Sequence, residues 1–302
     1  MPPAQKISKR EVVAFLEGSS VETLPGSAGE ISAYRELLAP GTRVYAACPP
    51  GSDYDRVIGT AVQLRAAGFE PVPHLPARSI ANAEALDRHL GRLRDEAGVG
   101  EVLAIAGDLP TPVGDFDSTI QVLETGLLDR RGIRRIGVAG HPEGNPDIGE
   151  GGLAEAIASK NRFARETDAE LYVITQFAFD AGAIIDWHRR IERQGNRLPV
   201  RIGFAGPANL RTLLRYAQRC RIGPSIRFLR RRALGPALLA GFSTPDELVG
   251  ELARFVAAHP DCGITGAHFF TFGGVRRTAE WLSAVRSGDL EARADVARLR
   301  VL

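Results

Sequence analysis

Short runs of β-branched and apolar residues alternate along the chain with longer stretches whose apolar positions recur every three to four residues. The short runs fall at 19–23, 43–47, 70–74, 101–106, 134–139, 170–175, 200–204 and 263–269, and each predicts a strand. The longer stretches predict helices over 28–38, 54–67, 81–97, 118–128, 153–166, 183–194, 209–221 and 275–285. A helix over 9–16 precedes the first strand, an extra segment at 222–242 follows the seventh helix, and a helix over 245–258 leads into the last strand. Residues 291–302 read as a peripheral tail. Repeated strand–helix units with no break in composition predict a single (β/α)8 TIM barrel, an α/β fold. Its bounds are an N-terminal extension at 1–18, the barrel at 19–285 and a C-terminal tail at 286–302. A doubly wound open sheet is the alternative, but such sheets carry a glycine fingerprint after the first strand. Here that strand ends in Glu22-Thr23-Leu24-Pro25-Gly26, and no G-x-x-x-x-G-K-[ST] phosphate loop follows anywhere.

Composition narrows the class of partner. With 302 residues, 44% of them hydrophobic, the chain can bury a core without disulfides or a structural metal. A net charge of +2 gives no long-range field for nucleic acid or a membrane surface, and neither is expected. No run approaches the ~18 apolar residues of a membrane span, and the N-terminal residues lack a signal-like apolar stretch. Cys48, Cys220 and Cys262 are odd in number and widely spaced, which argues against a disulfide framework or a cysteine zinc site. A reducing, cytoplasmic setting follows as the expectation. A homo-oligomer is compatible with all of this. Lysine occurs only at 6, 9 and 160, and Lys160 falls on a predicted helix, so a Schiff-base lyase or aldolase is disfavoured.

In such a barrel the chemistry sits where strands end. The polar residues there are Glu22, His74, Asp108, His141 with Glu143, Gln176 and His268. A carboxyl in an apolar pocket has its pKa raised and can donate a proton near neutrality, so Glu22 and Asp108 form a candidate acid pair. Structural ion pairs also place carboxylates at strand ends. His74 lies among Pro71, Pro73 and Pro76, a stiff setting for either a structural imidazole or a cofactor edge. His141 and Glu143 could ligate a metal but lack an evident third ligand, so no metal is expected. Gln176 offers both donor and acceptor to an amide-like ring edge. Asn161 and Arg165 share a helix face and could hold phosphate, or could simply face solvent. Arg227, Arg230, Arg231 and Arg232 cluster in the extra segment, as a solvated surface or as a contact for an anion. Cys48 reads as a small residue at the barrel mouth.

Five strand-end motifs, in order, resemble methylenetetrahydrofolate reductases: Pro73-His74-Leu75, Gly107-Asp108-Leu109-Pro110, His141-Pro142-Glu143-Gly144-Asn145-Pro146, Ile174-Thr175-Gln176-Phe177 with Phe179-Asp180, and His268-Phe269-Phe270-Thr271. The resemblance runs from about Ser20 to Trp281. It implies FAD in the barrel with folate stacked on it, NADH or NADPH as electron partner, and tetrahydrofolate one-carbon derivatives as substrates. Glu22 matches the family's proton donor and Asp108 its aspartate beside flavin and pterin. Gln176 matches the pterin contact, His74 a flavin contact, and Asn161 with Arg165 the phosphate contacts. Cys48, Ala106, Gly107, His141 and Asn145 fall at further flavin-side positions, and Leu210 where a phenylalanine packs over the ligand. The departures are Ala106 for arginine, His141 for tyrosine, Asn145 for histidine, Ala158 for aspartate and Arg165 for lysine. The implied reaction interconverts methylene- and methyltetrahydrofolate by flavin-mediated hydride transfer, and the alternative is a flavin-free folate-binding or regulatory barrel.

Overall fold

The computed structural model describes residues 8–26, 31, 35–232 and 242–287. Eight parallel strands close into a barrel: β1 (Ser20–Thr23), β2 (Arg43–Ala46), β3 (Glu70–Pro76), β4 (Glu101–Ile105), β5 (Arg135–Gly140), β6 (Glu170–Thr175), β7 (Val200–Ala205) and β10 (Ile264–Phe270). Strands β8 (Ala208–Asn209) and β9 (Phe242–Ser243) form a separate antiparallel pair. The helices are α1 (Lys9–Phe15), α2 (Tyr54–Ala66), α3 (Ala83–Ala97), α4 (Thr119–Glu124), α5 (Leu127–Arg130), α6 (Gly149–Phe163), α7 (Ala181–Arg193), α8 (Leu210–Arg219), α9 (Gly223–Arg232), α10 (Asp246–Ala258) and α11 (Val275–Ser287). Among the described residues no helix is long and apolar enough to cross a membrane.

Alternation along each strand divides the core in two. Val21, Val44, Val102, Ile136, Val138, Val173, Ile202 and Phe269 point outward and pack under the helices. Tyr45, Val72, Leu103, Tyr172 and Ile174 point inward and fill the barrel. The inward tyrosines need room, and glycine supplies it: a Cβ at Gly137 would lie 2.9 Å from the Tyr172 hydroxyl. Tyr45 and Tyr172 share a hydrogen bond of 2.6 Å, and Tyr172 donates to Glu101 Oε1 at 2.5 Å. Arg43 and Arg135 stand 3.9 and 3.8 Å from the Glu101 carboxylate, so the barrel floor is a polar layer held by charge attraction, in which Arg135 Nε makes no hydrogen bond.

Four expectations change. The third strand runs on through Pro76 instead of stopping at His74, because its prolines occupy positions the parallel ladder to β2 and β4 tolerates, and His74 therefore points into the barrel. The helix expected over 118–128 is broken into α4 and α5 where Gly126 turns left-handed at φ 66°. The helix expected over 153–166 begins earlier, at Gly149, and ends at Phe163. The largest change concerns the seventh helix: α8 does not flank the barrel. The outer position beside α7 and α1 belongs to α10. The insertion therefore sits before the seventh barrel helix, and α8 and α9 form a hairpin lying across the strand ends. Most of the helix expected over 28–38, and the tail at 291–302, lie outside the described residues.

Candidate active site at the barrel mouth

The hairpin makes its own apolar seam with the strand ends. Leu210, Leu213, Ala217, Ile222 and Leu229 pack with Phe177, Ala205 and Phe270. Tyr216 stacks on Phe272 at 4.0 Å between centroids, and Phe228 on Phe179 at 6.0 Å. Two polar clasps tie the hairpin to the loop after β5. Ser225 donates to Glu143 through its backbone N–H at 2.9 Å and its hydroxyl at 2.6 Å. Arg221 donates to both carboxylate oxygens of Asp147, at 2.7 and 2.6 Å, and adopts φ 55°, outside the usual range for a side-chain-bearing residue.

Beneath this cap, β1, β3 and β10 bring three titratable side chains together. Ser20 and Glu22 are two apart on β1 and so share the inner face. Ser20 is in register with His268, and its hydroxyl lies 3.0 Å from His268 Nδ1. Glu22 Oε2 stands 3.4 Å from His74 Nε2 and 3.9 Å from His268 Nε2. The Glu22 side chain as a whole keeps 15% exposure, while Oε2 itself is buried. These three atoms are buried and lack a hydrogen-bond partner, so they converge on one point without satisfying one another. Thr271 donates to the Glu22 carbonyl at 2.7 Å and fixes the backbone there. Below, the Tyr45 ring meets His268 and His74 edge-on, at 4.5 and 6.3 Å.

The distances are those of ion pairs, but burial argues for neutral groups. Desolvation raises the Glu22 pKa above the ordinary carboxylate range, partly offset by His74. Desolvation lowers the His74 pKa, opposed by Glu22 and reinforced by His268. His268 is pushed down to about 3 by burial and then by Arg201. A protonated carboxyl facing two neutral imidazoles is the arrangement this favours.

Asp108 follows β4 on an exposed turn, after Gly107 at φ 90°. A Cβ at Gly107 would lie 2.9 Å from Pro76 Cβ, so the turn runs bare past the end of β3, with Ala106 before it. Cys220 on the cap feels both acids: burial, then Asp108 and Glu22, push its thiol up to about 12. Cys48, after β2, is buried and pushed up to about 11, so it stays a thiol. Gln176 follows β6 half-buried, its side-chain oxygen accepting from the Phe177 N–H at 3.1 Å. His141 follows β5 and is pulled down to about 4 by burial and by Lys160. Glu143 is held by Ser225 instead of pairing with His141, and Asn145 caps its own turn by accepting from the Asp147 N–H at 2.9 Å. Leu210 is only 1% exposed inside the cap seam, so it does not present an open face to a ligand.

Sequence reasoning noted His268 without assigning it a role, and it missed Ser20 and Tyr45. The spacing of two from Ser20 to Glu22 on a barrel strand was the available signal. Lys160 is no solvent-facing lysine: it is buried, donates to the Ala139 carbonyl at 3.0 Å, and is pulled down to about 8 by burial.

Against known proteins, the family model for methylenetetrahydrofolate reductase matches residues 51–223, more than half of the chain. The chain belongs to the methylenetetrahydrofolate reductase family. Among solved structures, it is similar to an uncharacterized protein from Clostridium thermocellum that binds two copies of 5-methyl-5,6,7,8-tetrahydrofolic acid. That likeness has 12% identity and a TM-score of 0.58 over 94% of this chain and 99% of that one. Dihydropteroate synthase from Thermus thermophilus matches at 16% identity and a TM-score of 0.46, over 89% of this chain and 92% of that one. At 12% identity the likeness to the Clostridium thermocellum protein is one of fold alone.

The flavin that this reductase family implies meets a mixed reception. His74, Ala106, Gly107 and Asp108 lie at or just past the strand ends at the mouth, where the Gly107 turn packs closely against Pro76. The phosphate pair does not fit. Asn161 lies in the last turns of α6, beside the loop that feeds the start of β7, at the end of the barrel away from the mouth. Its amide donates to the Ile157 carbonyl at 2.8 Å and to Asn196 at 3.0 Å, and accepts from the Arg197 N–H at 2.7 Å. Arg165 donates to the Asn161 carbonyl at 3.1 Å at that same end. Both are structural here, which corrects their expected cofactor role, and no step below runs through a flavin.

Proposed function

We propose that this chain binds a reduced folate at the barrel mouth and interconverts its methylene and methyl forms, with Glu22 as the acid–base group. The observation that carries this reading is the buried Glu22 carboxyl, its pKa raised, with an unpartnered oxygen aimed at two neutral imidazoles. Membership of the reductase family supports it, as does the methyltetrahydrofolate bound by the structurally similar Clostridium thermocellum protein.

Opening the methylene bridge breaks the bond from the bridge carbon to one folate nitrogen. That nitrogen takes the Glu22 proton as it leaves, and the carbon remains as an iminium on the other. A hydride, with NADH or NADPH as the source of the electron pair, converts the iminium to a methyl group. Water in contact with the Ser20–His268–Glu22 row returns the proton to the carboxylate. Neutral His74 and His268 suit this role, since neither charge nor hydrogen bond ties the proton to Glu22 in the resting state. Asp108 and Gln176, at the rim, offer an acceptor and a mixed donor–acceptor to the edge of a pterin ring. In the oxidative direction Glu22 is the base.

A second reading is favoured by one observation, the structural employment of Asn161 and Arg165: a folate-binding protein that performs no redox step. Incubating the protein with methylenetetrahydrofolate and a reduced nicotinamide, with and without added FAD, separates the two. Formation of methyltetrahydrofolate is expected. Folate that binds but is returned unchanged under every condition would contradict the enzymatic reading and leave the binder.

A further inference from the structure

The strand that carries His74 is thinly tied. Three of the seven residues of β3 are prolines, Pro71, Pro73 and Pro76, and a proline has no N–H to give to a ladder. Its neighbour β2 ends at Ala46, opposite Pro73. Beyond that point Ala47 turns its N–H to the Thr23 carbonyl at 3.0 Å, and Pro49 and Pro50 have none. The His74 carbonyl takes a bond from the helix layer: the Tyr54 hydroxyl donates to it at 3.0 Å in a buried contact. Tyr54 is the first residue of α2 and is itself well held. Asp53 caps the helix, its side chain accepting from the Asp55 N–H at 3.0 Å. The Tyr54 ring stacks on the half-buried His89 of α3, with 4.2 Å between centroids and 19° between planes. Burial, and after it the Cys48 thiol, hold the phenol well above its ordinary pKa, so the hydroxyl stays protonated and donates.

The backbone at His74 matters because of where its ring stands. Nε2 lies 3.4 Å from Glu22 Oε2, and neither atom has a hydrogen-bond partner. Their separation is therefore set by the two backbones and not by a bond between the two side chains. The Glu22 carbonyl is held by Thr271 at 2.7 Å, and the His74 carbonyl by Tyr54. We propose that Tyr54 is a positioning residue for the acid–base group: its hydroxyl, bonded to the His74 carbonyl, holds the His74 ring opposite Glu22 Oε2. Its effect passes through the backbone of β3. The proposal rests on the reading of Glu22 above where it concerns turnover, and on the contacts alone where it concerns the placing of His74.

The test is a spectroscopic cycle on the full chain, in which the ring-nitrogen NMR signals of His74 are recorded at neutral pH in wild type, E22Q, Y54F and Y54F/E22Q. In the wild-type background E22Q is expected to move the Nε2 signal, because the carboxyl it replaces stands 3.4 Å away. In the Y54F background the same replacement should move it about half as much or less. Tyr54→Phe keeps the ring and its stack on His89 and removes only the hydroxyl. Turnover gives a second readout: kcat for methylenetetrahydrofolate reduction should fall about tenfold in Y54F, with KM within about twofold of wild type. Asn161→Ala, a destabilising change at the far end of the barrel, should alter neither readout. An Nε2 response as large in Y54F as in wild type would overturn the proposal and make Tyr54 a packing residue. So would the absence of any response to E22Q in the wild-type background, or a fall in kcat that N161A reproduces. Should Y54F not fold, H89A carries the same cycle, since it leaves the hydroxyl and removes the ring it stacks on; a reduced response is expected, and an unchanged one overturns the proposal. A wild type that turns nothing over would remove the acid–base reading of Glu22, and the spectroscopic cycle would still decide what places His74.

Discussion

Acid is the condition under which the buried His268 ring has its largest effect. Burial takes its pKa from 6.5 to about 3. As pH falls below 6.5 the unfolded chain takes up a proton at this side chain, while the folded protein does so only near 3. Stability is therefore lost as pH falls across that window. The gap corresponds to about 5 kcal/mol in total and about 1.4 kcal/mol per pH unit, against ~5–15 kcal/mol for a whole domain. His268→Asn isolates the effect, because the amide can stand where Nδ1 accepts or donates to Ser20 and yet does not titrate. At pH 7 the variant should be less stable by about 1–3 kcal/mol, from the ring volume removed. Urea unfolding at a series of pH values from about 7 to about 4 should then show the two stability curves converging, since only the wild type is penalised as the acid range is entered. Carboxylates away from the Glu22–His74–His268 cluster titrate alike in both proteins and cancel in the difference. Parallel curves would refute the reasoning and show that the imidazole carries its charge in the folded state, which would also undo the neutral cluster around Glu22.

Three further outcomes follow from particular contacts. Asn161→Ala should cost about 2–4 kcal/mol in urea unfolding, since it orphans buried partners at Asn196 and Arg197, and should leave FAD affinity unchanged in a fluorescence titration; a selective loss of flavin binding would restore its phosphate role. Ser225→Ala should weaken the cap by about 1 kcal/mol, removing one of two bonds to Glu143, and amide hydrogen exchange should rise in α9 while the barrel strands stay protected. Tyr45→Phe should destabilise by about 1–2 kcal/mol, because Tyr172 keeps Glu101 and loses the hydroxyl at 2.6 Å; no change in the urea midpoint would show that the tyrosine pair contributes nothing.

The barrel was legible because its period is local. Runs such as Val200-Arg201-Ile202-Gly203-Phe204 and the amphipathic helices between them announce strand and helix without knowledge of the whole, and the strands were found close to their observed bounds. The cap was not legible. Leu210-Arg211-Thr212-Leu213-Leu214-Arg215 has the pattern of any barrel helix, and its apolar stripe cannot say whether it faces the flank of a sheet or the ends of its strands. The run with Pro71, Pro73 and Pro76 was expected to end the strand at His74, yet the strand continues through Pro76, since a proline stops a strand only where its missing N–H is needed. At the site, Glu22, His74 and His268 could be placed by strand position, but the closeness of Glu22 and His268 depends on barrel closure, which brings β1 against β10 across nearly the whole chain. Asn161 and Arg165 failed for the same reason: sharing a helix face is a local fact, and which end of the barrel that face reaches is not.

The most direct test of Glu22 as the acid–base group separates binding from turnover in Glu22→Gln. The amide has the carboxyl's shape and cannot deliver its proton. The variant should bind methyltetrahydrofolate within about twofold of wild type and convert methylenetetrahydrofolate ~10²–10⁴-fold more slowly. Turnover at the wild-type rate would contradict the account and take Glu22 out of the chemistry.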